Sequence, residues 1–323
     1  MKKISFLLLF VFTIACTKTT NTINTKLVVA HRGASGYLPE HTLASKAMAY
    51  AMKPHYIEQD VVLSKDNVPI VIHDIYLDDV TDVRQKFPER NREDGRYYVI
   101  DFTFSELQSL QVTERFDHSS NKQYYPDRFP ANKSTFRLHS LQQEIELIQG
   151  LNKSTGNEIG IYPEIKNPSF HRKHEKDISK IVLDVLNEYG YTTKEDNCIL
   201  QCFDALELER IRKQLGAKLY LVQLIEHTEE TKQLTHFASY ADGIGPWYKQ
   251  LISSRSSDGF TTTSLVADAH SLGLTVHPYT FRADALEEFS SFDEVIEVLL
   301  FQANADGAFT DFPDKMIQFL HQK

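Results

Sequence analysis

The sequence predicts an α/β protein, a (β/α)8 TIM barrel with a small domain inserted after its second strand. Three observations predict it. From Lys26 onward, eight short apolar, β-branched runs alternate with amphipathic helical stretches, the pattern of parallel strands joined by helical crossovers. Several of those helical stretches end at a glycine, as at Gly190, Gly216 and Gly273, which suits C-terminal caps. One long stretch after the second strand then breaks the rhythm without becoming featureless. The 323 residues, 41% hydrophobic and 24% charged, are ordinary globular composition and enough for a sizeable core.

Ahead of the first strand the chain reads as an export leader. Lys2 and Lys3 precede the apolar run from Ile4 to Ala15, which is too short for a stable membrane span. Cys16 follows directly and opens a polar, threonine-rich tether over 16–25. A cysteine in that place resembles the lipobox of bacterial lipoproteins, although Thr13 stands where leucine is usual, so a plain signal peptide stays open. The expectation is a signal peptide over 1–15, a lipid on Cys16, and export to the periplasm or to a membrane-anchored position in a bacterial envelope. The net charge of −9 falls by a further two when Lys2 and Lys3 leave. Broad nucleic-acid binding is thereby disfavoured, and membrane contact is expected only through the lipid anchor.

The barrel is expected over 26–323. Its first strand, Leu27 to His31, is the apolar run LVVA ending in His31 and Arg32, ahead of Gly33 and Gly36. These glycines are expected to let the backbone approach a ligand, with Pro39 and Glu40 in the first turn of a helix reaching Met52. Leu43, Ala47 and Tyr50 mark the apolar side of that helix. The second strand, Tyr56 to Leu63, turns at Lys65, Asp66 and Asn67, and Pro69 to Asp74 returns as an antiparallel arm. That hairpin brings His73 beside Glu58 and Asp60.

The stretch 75–140 lacks clear periodicity but contains Phe87, Tyr97, Tyr98, Phe102, Phe104 and Phe116. It is too long for an ordinary loop and too aromatic for disorder, so it is expected to form an inserted unit over the barrel mouth. The remaining strands are expected at 160–166, 198–203, 218–225, 242–247, 274–281 and 307–311, with helices at 141–151, 178–190, 205–216, 265–273 and 292–304 between them. Cys198 and Cys202, about 13 Å apart along a strand, are too distant for a disulfide and read as small buried apolar side chains.

The chemistry lies at strand ends. Glu58 and Asp60 are two apart in a strand and share a face. Glu164 is a third acid on an apolar strand, with Lys166 two residues on. Buried acids are costly without a positive partner, and three converging carboxylates make a hard-cation site of the Mg2+ or Ca2+ kind. Ion pairs of Glu164 with Lys166 and of Glu58 with Arg32, without a metal, stay open as the alternative. His31 and His73 supply an acid and a base with pKa values near working pH, and Arg32 clamps non-bridging phosphate oxygens. Lys166 and Arg282 are candidates for further positive charge near the phosphate. Phe203, Trp247, Tyr279 and His277 are candidates for lining the pocket, and an aromatic ring there suits a choline headgroup. His171, His174, His227 and His236 lie in polar stretches and read as solvated surface.

Taken in order, AHRG with PEHT, Glu58-x-Asp60, the HD at His73, PEIK around Glu164, HPYTFR and the closing DGAFTDFP resemble the glycerophosphodiester phosphodiesterase family. The long insertion and PEHT, where many relatives have PENT, are similar to its exported bacterial branch. The resemblance implies a barrel, one divalent cation (Ca2+ or Mg2+) on Glu58, Asp60 and Glu164, and His31 and His73 as the acid and base pair. It also implies hydrolysis of small glycerophosphodiesters such as glycerophosphocholine to glycerol 3-phosphate and an alcohol. Two other functions stay open: a phospholipase of related fold, and a surface lipoprotein whose main role is protein binding. Headgroup preference, resident metal, cyclic or direct hydrolysis and oligomeric state are not legible.

Overall fold

A computed structural model describes residues 26–120, 122–257 and 259–323. The expected leader, tether and lipidated Cys16 lie outside them. Eight parallel strands form the barrel: Leu27–Ala30, Tyr56–Leu63, Gly160–Ile165, Ile199–Cys202, Tyr220–Ile225, Gly243–Pro246, Thr275–Val276 and Gly307–Thr310. The first pairs with the last from Leu27 opposite Gly307 to Ala30 opposite Thr310. The seventh and eighth share no ladder but are joined by backbone hydrogen bonds from Asp306 N to Val276 O and from Phe309 N to Pro278 O and by the bridge of Phe281 with Thr310, so the ring is nearly closed. Pro69–Val71 returns antiparallel on the second strand, with Val61 opposite Val71.

The seventh strand is much shorter than the expected run over 274–281. Pro278 lacks the N–H that a ladder to the eighth strand needs, and beyond it isolated bridges join Tyr279 to Trp247 and Phe281 to Thr310. The first helix also starts later than expected, at Leu43. Thr42 is its cap, accepting from Ser45 N, while Arg32 and His41 adopt left-handed φ of +58° and +55°. Pro39 and Glu40 therefore belong to the preceding loop. Gly33 and Gly36 are required by packing. A Cβ on Gly33 would sit 2.6 Å from Ser45 Oγ, and one on Gly36 would sit 2.4 Å from the Phe312 ring.

Three apolar clusters account for the burial. The largest lies between strands and outer helices, from Val28 and Ile57 through Leu186, Ile211 and Ile244 to Leu299. A smaller one fills the barrel interior with Val29, Tyr162, Ile199, Val222 and Phe309, as the layers of a closed barrel require. The third is built mostly by the stretch 75–140, where Leu77, Val83, Tyr97, Val99, Phe102, Leu107 and Val112 pack on Val62, Ile70 and Ile72 of the hairpin. That stretch docks on the face of the hairpin that carries Val62, Ile70 and Ile72, beside the segment that ends in His73. Among the described residues no helix is long and apolar enough to cross a membrane.

Candidate active site

Side chains at the C-terminal ends of the strands converge on one cleft. His31, Arg32, Glu58, Asp60, His73, Glu164, Lys166, Phe203, Trp247, Tyr279 and Arg282 all line it, together with Gln201, Leu224, Thr280 and Phe309. The C-terminal face of a parallel barrel is where loops assemble catalytic groups. Register explains the acid cluster: Asp60 lies opposite Glu164, and Glu164 opposite Gln201, so neighbouring strands present these groups side by side.

Each cleft imidazole is held by a carboxylate. His31 Nδ1 lies 2.6 Å from Asp311 Oδ1, and His73 Nδ1 lies 2.8 Å from Asp74 Oδ1. An ionised carboxylate only accepts, so Nδ1 carries the hydrogen in both rings and Nε2 is the atom left to exchange a proton. Burial, together with the charge of Arg32, lowers both imidazoles to about 4. Both are neutral at pH 7 in this state.

Arg32 is fixed from several sides. Its backbone N donates to Glu58 Oε2 at 2.5 Å, its Nη1 donates to Glu40 Oε2 at 2.9 Å, and its Nε reaches His31 Nε2 at 3.2 Å. The left-handed backbone at Arg32 is uncommon for a residue with a side chain and is stabilised here by these contacts. Lys166 Nζ sits 2.9 Å from Glu164 Oε1 and 3.5 Å from Asp60 Oδ1. The ion pair of Glu164 with Lys166 is thus present, and the contact of Glu58 with Arg32 runs through the backbone N.

These ion pairs do not satisfy the acids. Burial and the neighbouring Asp60 raise Glu58 well above the usual carboxylate range, and they raise Glu164 to about 8. Asp60 goes the other way: despite its burial, Lys166, His73 and His41 hold it well below that range. The cluster carries more carboxylate than its lysine and arginine neutralise, which fits a hard divalent cation. His41, Glu58 and Asp60 each offer an atom within 4.8 Å of the others. His41 Nε2 already lies 2.8 Å from Asp60 Oδ2, while Glu164 leans on Lys166.

Sequence reasoning missed the partners. Asp311, Asp74, Glu40, His41 and Gln201 all touch or line the site. Asp74 directly follows His73, and Asp311 directly follows the last strand; these were the available signals. Arg115 and Arg128, which contact Glu40, Asp74 and Asp311, come from the aperiodic stretch and carried none. Two other readings need correction. His171 is buried, on the short helix Pro168–Lys173, and not solvated. His277 faces the barrel interior, where its Nδ1 meets Tyr162 OH at 3.0 Å, and does not line the cleft. Cys198 and Cys202 are free and buried.

The glycerophosphoryl diester phosphodiesterase family matches residues 31–315. The glycerophosphodiester phosphodiesterase of Haemophilus influenzae is 48% identical over 326 residues, a match spanning 91% of this chain and 90% of the relative. That of Treponema pallidum is 39% identical over 91% of this chain and 92% of its own. Among solved structures, a glycerophosphoryl diester phosphodiesterase from Silicibacter pomeroyi superposes with a TM-score of 0.72 at 23% identity, covering 92% of this chain and 94% of that one. An Oleispira antarctica phosphodiesterase solved with the product sn-glycerol-3-phosphate superposes with a TM-score of 0.64 at 20% identity, covering 91% and 96%.

Proposed function

Because the chain belongs to the glycerophosphoryl diester phosphodiesterase family, we propose that it hydrolyses small glycerophosphodiesters to glycerol 3-phosphate and an alcohol, with His31 and His73 as the acid and base pair. The observation that carries this reading is the pair of imidazoles. Each is held at Nδ1 by its own carboxylate, and both line the cleft that contains Glu58, Asp60 and Glu164. The free Nε2 of one imidazole takes the proton of the attacking water or glycerol hydroxyl, while the other imidazole acts as the imidazolium, favoured once the negative phosphodiester sits beside it, and delivers its Nε2 proton to the departing oxygen, ending neutral.

Arg32 and Lys166 face the phosphate and stabilise the charge that grows on its oxygens. Glu58, Asp60 and Glu164 would hold the cation, with His41 bracing Asp60 at 2.8 Å. A divalent cation bound there supplies charge neutralisation and a Lewis-acid contact to the phosphate. Free space in the cleft is about 160 Å³, below the usual range of drug-sized sites. That suits a phosphodiester with a short polyol better than an intact phospholipid. Phe203, Trp247, Tyr279 and Arg282 form the rim on which the alcohol portion rests.

A coupled assay for glycerol 3-phosphate tests the reading, run on glycerophosphocholine and other headgroups with EDTA and with Mg2+ or Ca2+ restored. Release that EDTA abolishes and a cation restores is expected; a purified protein that releases none with any headgroup or cation refutes it. Export with a lipid on Cys16 is proposed on sequence grounds alone. Palmitate labelling of wild type but not of Cys16→Ala is expected, and an unlabelled wild type removes the anchor.

A further inference from the structure

We infer that Arg115 and Arg128, both from the stretch 75–140, are positioning residues that clamp the two histidine–aspartate pairs. In each pair the imidazole takes one carboxylate oxygen and the arginine takes the other. His31 Nδ1 uses Asp311 Oδ1, while Arg128 Nη2 donates to Asp311 Oδ2 at 2.7 Å, an oxygen that also accepts from Arg282 Nε at 2.9 Å. His73 Nδ1 uses Asp74 Oδ1, while Arg115 Nη1 donates to Asp74 Oδ2 at 2.8 Å.

Both arginines are anchored by a second group. Arg128 forks onto Asp284 at 2.7 and 3.1 Å, donates to the Ser35 carbonyl at 3.2 Å, and lies 3.7 Å from the centre of the Tyr125 ring. Arg115 also grips Glu40 at 2.6 Å, and Glu40 holds Arg32. A guanidinium is planar, permanently charged and rigidly forked, so it fixes the carboxylate plane and keeps the acid ionised. The proton then stays on the imidazole and Nε2 keeps its aim into the cleft. The inserted stretch has its own apolar cluster, and through these two side chains its docking sets the geometry of both proton-transfer groups.

This inference rests on the acid and base roles proposed above, and its test separates the two. Arg115→Met, Arg128→Met and the corresponding lysine variants are assayed beside His31→Ala and His73→Ala, on glycerophosphocholine and on the p-nitrophenyl ester of glycerol 3-phosphate. We expect each methionine variant to lose about 10- to 100-fold in kcat, the range for outer partners that orient reactive groups, with KM within about threefold. The lysine variants are expected to recover little, because one ammonium cannot reproduce the fork. The variant that disturbs the acid is expected to lose less on the p-nitrophenyl ester, whose leaving group needs no proton.

Proton NMR supplies a readout that does not depend on turnover. The low-field Nδ1 proton of His73 is expected to shift or vanish in Arg115→Met, and that of His31 in Arg128→Met, each leaving the other unchanged. If both methionine variants keep kcat within twofold, or change KM alone, while the alanine variants are inactive, the clamp is refuted and the catalytic reading stands. If the alanine variants stay active, the acid and base roles fail first. A methionine variant that does not fold is replaced by its lysine counterpart, where wild-type kcat with unmoved imidazole protons refutes the clamp.

Discussion

Replacing Lys46 with methionine removes a cation from beneath the acid cluster, and the structure sets the size of the effect. Lys46 is fully buried. Its Nζ lies 3.0 Å from Glu144 Oε1 and donates to the Glu58 carbonyl. Glu144 is fully buried too, and it also accepts from His139 Nε2 at 2.7 Å and from Gln59 Nε2 at 2.8 Å. Burial alone would raise this carboxyl, but Lys46, followed by His139 and Gln59, brings it down to about 2 from 4.5. At 1.36 kcal/mol per pH unit that displacement corresponds to about 3 kcal/mol. Breaking one side of a buried pair costs about 3–5 kcal/mol by independent reasoning, so the two agree. Urea or thermal unfolding of Lys46→Met should lose about 3–5 kcal/mol, or about 6–10 °C at about 2 °C per kcal/mol for a chain of this size. Because the folded pKa of Glu144 is depressed, its contribution is full above pH 4.5 and is lost as pH falls toward 2. The gap between wild type and variant should therefore narrow over that interval. The double variant Lys46→Met with Glu144→Gln should recover about 2 kcal/mol relative to the sum of the singles. A loss below about 1 kcal/mol, or strict additivity, would refute the reasoning.

His31→Ala, His73→Ala and Glu58→Ala should each lower glycerol 3-phosphate release by orders of magnitude; near-normal turnover in any one removes that residue from its assigned role. Gly33→Ala places a methyl group 2.6 Å from Ser45 Oγ at a φ of +94°, and strain of this kind costs about 1–3 kcal/mol. A urea midpoint equal to wild type would contradict it. Neither ring nitrogen of buried His171 has a hydrogen-bond partner, and burial lowers its pKa to about 4. Its contribution is present above pH 6.5 and lost as pH falls toward 4, so His171→Phe should gain stability relative to wild type over that window. Parallel pH profiles would show that His171 is not the group responsible.

Much of this protein is local in origin and therefore legible from sequence. A barrel strand is a short apolar run, and its C-terminal end is where a polar side chain can enter the shared mouth. His31, Arg32, Glu58, Asp60, Glu164 and Lys166 could accordingly be placed by chain position, and the structure brings them to one cleft. The hairpin turn at Lys65 to Asn67 placed His73 by the same local logic. Even the short seventh strand had its cause in view, since Pro278 has no N–H to offer.

What only the tertiary structure decided is who holds these groups. His31 and Asp311 are 280 residues apart and meet because the ring closes. Arg115 and Arg128 reach their aspartates because a separate apolar cluster docks the stretch 75–140 on the hairpin. His171 is buried because neighbouring elements cover it, although its sequence surroundings are polar. Periodicity reports which face of an element is apolar. Pairings between distant side chains depend on the free energy of closing and docking the whole assembly, which no single window of sequence contains.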